Sequence, residues 1–180
     1  HYGIEGKTEM LSDDPYLLSH VRNPDFREGT TGWMVEAAEP EGIRADESPG
    51  FGWLQGRYPK GPEGDAVLVM RRSKKAPNRI RQTMKDLEPG RLYSLKLISA
   101  DFNDMSVKET HALRIQIEGA DLVPEKSYTH VFNNFYHVTP RYKKRKTAWM
   151  NYRRLVFRAG SSSAMLTISD WASADEPGGP

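Results

Sequence analysis

Aromatic side chains next to amides are the residues of this chain whose types best suit ligand binding. Residues 132–137 read Phe-Asn-Asn-Phe-Tyr-His, and Trp53 and Tyr58 flank a polar stretch that contains glycine. Flat aromatic rings stack on the C–H faces of pyranose sugars, while amides, guanidinium groups and carboxylates hydrogen-bond the hydroxyls. The candidate sugar-binding residues are Trp53, Tyr58, Asn134, Tyr136, Tyr142 and Trp149. The competing interpretation is that the aromatics pack in a core and the amides hold a loop backbone.

A run of basic residues at positions 141–146, Arg-Tyr-Lys-Lys-Arg-Lys, is the second feature with chemical meaning. Residues 66–160 hold 20 basic and 8 acidic side chains and residues 1–65 hold 6 basic and 13 acidic, so the net charge of +2 hides a segregation. Basic groups beside an aromatic ring suit a sulfated or uronic polysaccharide, or a nucleic acid. No recognised nucleic-acid-binding motif accompanies the run, so a nucleic acid partner is not predicted. The alternative is a solvated loop tip.

Catalytic chemistry has little support in the residue types. The chain has no cysteine, which excludes disulfides, thiolate nucleophiles and cysteine-ligated metals, and its five histidines show no metal-binding spacing. One arrangement stays open, in which His111, His130 and His137 meet beside Tyr136 or Tyr142 and act as in a polysaccharide lyase. A paired-carboxylate glycosidase is less favoured, because no acids stand out in the strand-rich half. The sequence therefore leans towards a binding domain without catalytic residues.

The elements that position these residues are predicted to be β-strands. Apolar residues alternate in short runs that end at turns such as Pro49-Gly50 and Pro89-Gly90, and helix-period patterns are scarce. The predicted strands span residues 32–38, 51–58, 66–72, 80–84, 92–100, 111–118, 149–159 and 164–170. Residues 119–146 are predicted to form long loops with one or two short strands, and residues 1–20 an arm or linker. The sequence predicts an all-β domain over 21–180, a two-sheet antiparallel β-sandwich with jelly-roll topology.

Residues 23–33, Asn-Pro-Asp-Phe-Arg-Glu-Gly-Thr-Thr-Gly-Trp, carry a resemblance to a known family. The segment resembles the opening strand of galactose-binding-like jelly rolls and is similar to the carbohydrate-binding modules appended to bacterial xylanases and glucanases. Residues 81–84 and 87–93 resemble that family's Gln-containing strand and Leu-x-Pro-Gly-x-x-Tyr hairpin. Residues 149–160 and 164–168 resemble its penultimate hairpin. The likeness therefore extends over most of the predicted domain.

The resemblance implies a non-catalytic carbohydrate-binding module that targets a polysaccharide or oligosaccharide. Such modules belong to larger secreted bacterial glycoside hydrolases, so a covalently linked catalytic domain and an extracellular, periplasmic or cell-surface location are expected. Within the opening segment, Phe26 is expected to anchor the first strand in the core. No stretch approaches the roughly 18–20 apolar residues that cross a bilayer, so no membrane partner is predicted. Two alternatives stay open: a structural module that packs on a catalytic domain without binding sugar, and a small jelly-roll lyase.

The resemblance also implies a structural calcium ion near the first and last strands. Calcium takes six to eight oxygen ligands, so one carboxylate and several loop carbonyls suffice. Asp25, Glu28 and Asp170 are the residues that match the expected ligand positions. Arg27 stands where the family usually has an acid, which weakens this implication. The family normally has a closing strand beyond the position of Pro180, so either the sequence is truncated there or the N-terminal arm fills that edge.

Overall fold

The fold is almost entirely β-strand. The computed structural model describes residues 20–47, 66–137 and 145–178, with residues 134–137 and 145–147 described by their backbone. Strands make up 46% of the structure, and the helical content of these ranges is one 3-10 turn at Pro124–Lys126. The all-β class that the alternating apolar runs predict is confirmed.

Ten strands lie in the described ranges. They are β1 (Met34–Glu36), β2 (Ile43–Glu47), β3 (Ala66–Met70), β4 (Arg79–Met84), β5 (Leu92–Ser99), β6 (Arg114–Glu118), β7 (Ala120–Leu122), β8 (Tyr128–His137), β9 (Arg145–Ala159) and β10 (Ala164–Ser169).

These strands form two sheets and a separate ribbon, and every pairing among them is antiparallel. Sheet I has the order β1-β4-β10-β6. In sheet II, β5 lies on one side of the long strand β9, and β7 and β8 share its other side. The ribbon consists of β2 and β3. The sheets do not close into a barrel, which is consistent with the predicted β-sandwich, while the jelly-roll topology stays a prediction.

The chain crosses between the sheets at two places where the sequence suggests hairpins. Strand β4 lies in sheet I and β5 in sheet II, and β9 in sheet II is followed by β10 in sheet I. The connections at 87–91 and 160–163 are therefore inter-sheet crossovers, and the expectation of paired hairpins there is wrong. They touch each other, since the Leu87 N–H donates to the Ser162 carbonyl over 3.0 Å.

One shared core lies between the two sheets. Ile80 of β4 and Leu166 of β10 are each 1% exposed and belong to one apolar cluster with Phe157 of β9. Tyr93 of β5 stacks on Phe157, with the ring centroids 5.7 Å apart. Along β5 the odd-numbered residues through Leu97 are less exposed than their even-numbered neighbours, as the alternation predicts. The odd-numbered residues of β5 therefore face the core.

The opening segment, residues 23–33, forms consecutive turns instead of the predicted first strand. Asn23 adopts a left-handed φ of 47°, and its side-chain amide donates to the carbonyl oxygens of Gly29 and Thr31. These local bonds compete with strand pairing, which is why the first strand begins only at Met34. Phe26 packs against the core as expected, but from a turn with a φ of 54°.

Gln82 of β4 fastens the opening segment to sheet I. Its side-chain oxygen accepts the Arg22 N–H, and its side-chain nitrogen donates to the carbonyl oxygens of Arg22 and Gly32 over 3.0 and 2.9 Å. Because Gln82 is 6% exposed, these bonds form away from water, where an unmade partner is costly.

Residues 119–146 contain more strand than predicted. The ten-residue strand β8 pairs with β9 along its whole length, from Tyr128 opposite Arg154 to His137 opposite Arg145. The Asn133-Asn134 pair disfavours a strand in isolation, but the β9 ladder supplies its hydrogen bonds and overrides local propensity. Strand β2 also went unpredicted, and the predicted strand 51–58 lies outside the described residues.

Candidate functional site

The face of sheet II that points away from the core carries an unusual set of side chains. Strand register places Lys96, Arg154 and Tyr128 in one row across β5, β9 and β8. The next row holds Tyr152 and His130 beside an isoleucine of β5. Directly opposed residues of an antiparallel sheet project from the same face. The two rows therefore form one patch, the tyrosine face, defined by Lys96, Tyr128, His130, Tyr152 and Arg154.

Two tyrosine rings lie at the centre of this face. The Tyr128 and Tyr152 ring centroids are 6.0 Å apart with planes inclined by 32°. Tyr128 is 50% exposed and Tyr152 is half-buried. The two residues are diagonal neighbours on adjacent strands, which is within reach for aromatic side chains. Their tilted arrangement leaves aromatic surface open to solvent.

The basic residues of the tyrosine face have no acid partners within the described ranges. Neither Lys96 nor Arg154 forms an ion pair there, and His130 is exposed. The Arg154 Nε is shielded from water and has no hydrogen-bond acceptor. Along the ladder from Lys146 to Arg154, no paired position carries an acid. The face is therefore cationic.

A second apolar cluster lies on the same side of sheet II and bounds one end of the tyrosine face. Ala148 and Met150 of β9 are buried and pack against Phe132 of β8 and Met105 of the loop that follows β5. That loop is also joined to β9 through its backbone, because the Trp149 N–H donates to the Met105 carbonyl over 2.8 Å. The loop therefore covers this side of β9 beyond the end of β5.

The opposite face of β9 carries a buried polar group that holds the same loop. The guanidinium of Arg153 donates to the Ser99 hydroxyl, the His111 carbonyl and Asn151 Oδ1. Asn151 is fully buried, accepts the His111 N–H and donates to the Glu109 carbonyl over 2.8 Å. Burial lowers the pKa of Arg153 from its ordinary value. This group positions the loop and contributes nothing to the tyrosine face.

The predicted sugar-binding residues do not form one described cluster. Trp53, Tyr58 and Tyr142 lie outside the described residues, and Asn134 and Tyr136 lie in β8, where their backbones pair with Ala148 and Lys146. Trp149 is half-buried beneath Lys108, whose Nζ lies 5.1 Å from the ring centroid. By strand alternation it projects from the face opposite to Tyr152.

Sequence reasoning missed the two tyrosines at the centre of the face. The signal that points to them is a pair of short sequences, Tyr128-x-His130 and Tyr152-x-Arg154, in which the two named residues would project from the same face of a strand. Their partnership depends on the β8–β9 register, which the sequence alone does not give.

Two of the histidines proposed for a lyase, His111 and His130, lie on opposite sides of sheet II. His111 contacts Asn151 and Arg153 through its backbone on the core-side face of sheet II, whereas His130 projects from the tyrosine face. The His111 ring accepts the Asp101 N–H at Nε2, and its Nδ1 lies 3.6 Å from the Glu109 carboxylate. The sheet stands between the two histidines, so the structure gives this arrangement no support.

Two of the three residues proposed for calcium have partners within the protein, and calcium binding stays a prediction. Asp170 is 4% exposed, and both its oxygens accept hydrogen bonds from Asn78, from the backbone N–H over 2.9 Å and from Nδ2 over 2.6 Å. Asp25 lies 3.7 Å from the Arg27 guanidinium, and Glu28 is exposed. Across 20–47, 66–137 and 145–178, no group of three or more histidine or acidic side chains is placed to hold a metal ion. The role of Asp170 seen here is structural.

Comparison with known proteins leaves the family open. No family model matches the chain, and neither curated protein sequences nor solved structures give a significant match. In the described part of the chain, no helix is long and apolar enough to span a membrane. The resemblance to galactose-binding-like modules therefore stays a prediction.

Proposed function

We propose that this domain binds a polysaccharide, without cleaving it, through the tyrosine face. The observation that carries the proposal is the Tyr128–Tyr152 pair, with ring centroids 6.0 Å apart and Tyr128 50% exposed, beside Lys96 and Arg154, which form no ion pair among the described residues. The resemblance to carbohydrate-binding modules supports the same function, as an accessory domain of a larger secreted glycoside hydrolase.

The side chains of the face match the needs of sugar binding. An exposed tyrosine ring offers a flat apolar surface on which a sugar ring can stack, with a hydroxyl at its edge for hydrogen bonding. Lys96, His130 and Arg154 supply donors for hydroxyl oxygens. Glycosidic bond cleavage uses two carboxyl groups about 5–10 Å apart, and the rows of this face hold none. The donor set is that of a binding surface.

A structural module that packs on a neighbouring domain is the second candidate. The observation that favours it is the apolar surface on the loop after β5, where Phe102 and Val107 are 48% and 43% exposed. Such surface is common on single domains, so this candidate has the weaker support.

Affinity electrophoresis in gels that contain single polysaccharides tests the proposal. Retardation of the wild type by at least one polysaccharide is expected, and Tyr128→Ala and Tyr152→Ala should each reduce it. Tyr128→Phe should retain most of it, because the ring remains. Met34→Ala is the matched control, since Met34 is also 50% exposed but lies on the edge of sheet I. Equal retardation of the wild type and both tyrosine variants would overturn the proposed site, and no retardation by any polysaccharide would favour the structural module.

A further inference from the structure

We infer that the polysaccharide bound by the tyrosine face is anionic and carries carboxylate or sulfate groups. This inference rests on the proposed function and adds the chemical class of the ligand. Its basis is the charge arrangement of the face, which differs from that of β4 in sheet I.

Lys96 and Arg154 form a cross-strand pair of like charge. They lie directly opposite each other in the β5–β9 ladder, and Tyr128 on β8 completes the row. Like charges at directly opposed positions destabilise an antiparallel sheet. A carboxylate or sulfate bound between them removes this repulsion and gains charge-assisted hydrogen bonds. The folded protein therefore presents a site that an anion completes.

The arginines of β4 in sheet I show the contrast. Arg79 and Arg81 on β4 both pair with Glu36 of β1, at 3.6 and 3.3 Å, so their charge is neutralised within the protein. Arg154 is the corresponding strand arginine of sheet II, and it has no such acid among the described residues. An uncharged sugar needs donors but not uncompensated cations, whereas an anionic sugar uses both.

The tyrosine face is bounded where the loop after β5 covers β8 and β9. Ala148 and Met150 follow Tyr152 on the same face of β9 and are buried against Phe132 and Met105. The anion site is therefore confined to the rows of Arg154 and Tyr152.

Paired polysaccharides that differ only in charge test this inference. The probes are polygalacturonate with its highly methyl-esterified form, and dextran sulfate with dextran, measured by isothermal titration calorimetry. We expect one charged member to bind at least tenfold more tightly than its neutral counterpart. Raising salt from about 0.1 M to about 1 M shortens the Debye length from about 10 Å to about 3 Å and should weaken that binding.

Charge variants locate the effect. Arg154→Gln and Lys96→Gln should each weaken the charged ligand about tenfold and weaken the neutral one far less, because the amide keeps a hydrogen-bond donor but loses the charge. Lys75→Gln is the control, because Lys75 is an 84% exposed cation away from sheet II. Tyr128→Ala should weaken charged and neutral ligands alike.

The outcomes separate the inference from the function beneath it. Equal binding of charged and neutral partners that still depends on Tyr128 would overturn the anionic class and leave carbohydrate binding in place. Binding of the charged polymers, and of duplex DNA as well, with no dependence on either tyrosine would overturn the inference in favour of unspecific polyanion attraction. Binding of none of the four polysaccharides would overturn the anionic class, while retardation in the affinity gels decides separately whether the domain binds any polysaccharide.

Discussion

Replacing Asp170 by alanine should strongly destabilise the fold, because this carboxylate is a structural acceptor. Both of its hydrogen bonds come from Asn78, which is fully buried. Asn78 in turn donates to the Arg71 carbonyl over 2.7 Å and accepts the Ala38 N–H over 2.9 Å. Asp170 therefore anchors a residue that joins the end of β10 to the chain on either side of the β2–β3 ribbon.

The magnitude follows from the donors that the substitution leaves behind. A hydrogen bond to a charged group contributes about 1.5–3 kcal/mol, and a buried donor without an acceptor adds its own desolvation cost. Asp170→Ala leaves the Asn78 N–H and one Nδ2 hydrogen without acceptors, so we expect a loss of about 3–5 kcal/mol. For a chain of this size each kcal/mol lowers the Tm by about 2–4 °C, so the expected decrease is on the order of 10 °C. Asp170→Asn retains one acceptor oxygen, so its Tm should lie between those of the wild type and Asp170→Ala.

Urea and thermal unfolding, each with calcium and with a chelator, measure this effect. The expected order of stability is wild type, then Asp170→Asn, then Asp170→Ala, with midpoints that calcium does not move. If the wild type gained several degrees from calcium and Asp170→Ala lost that gain, Asp170 would be a metal ligand. An alanine variant that unfolds within a degree of the wild type in chelator would refute the structural role.

Two further substitutions test other parts of the account. Gln82→Glu replaces the nitrogen that donates to the Arg22 and Gly32 carbonyls with an oxygen. The free energy of unfolding in urea should fall by about 2–4 kcal/mol. An unchanged midpoint would contradict the role of Gln82 in holding the opening segment on sheet I. The Ser106 hydroxyl and N–H donate hydrogen bonds to Asp104 and lower its pKa. These bonds stabilise the fold when the pH is above the pKa of Asp104 in the unfolded chain, and the stabilisation is lost as the pH falls through its pKa in the folded protein. Ser106→Ala should raise the Asp104 pKa in an NMR titration and reduce stability at neutral pH only; an unmoved pKa would count against this bond.

Alternation predicted those strands in which one face is buried and the other is solvated. In β5 the polar Ser94 and Lys96 lie between core-facing residues, so both the strand and its orientation follow from the sequence. β8 lacks this contrast, because both of its faces carry aromatics, amides and histidine. Its strand forms because β9 is long enough to pair with all ten of its residues.

The candidate site depends on register, which is why the sequence did not reveal it. Tyr128 and Tyr152 become neighbours only because Tyr128 lies opposite Arg154. A shift of one residue in β8 would turn Tyr128 to the other face of the sheet. The burial of Asn151 and Arg153 escaped prediction for the same reason, since their partners Ser99 and His111 come from a distant strand and loop.

An NMR titration of the wild type with the polysaccharide that retards it most in affinity gels tests the central claim directly. The account predicts that the amide signals of Tyr128, His130, Tyr152 and Arg154 shift in a saturable way, while that of Met34 on sheet I stays in place. Shifts confined to sheet I, or a saturable binding isotherm that leaves the β8 and β9 signals unmoved, would contradict it.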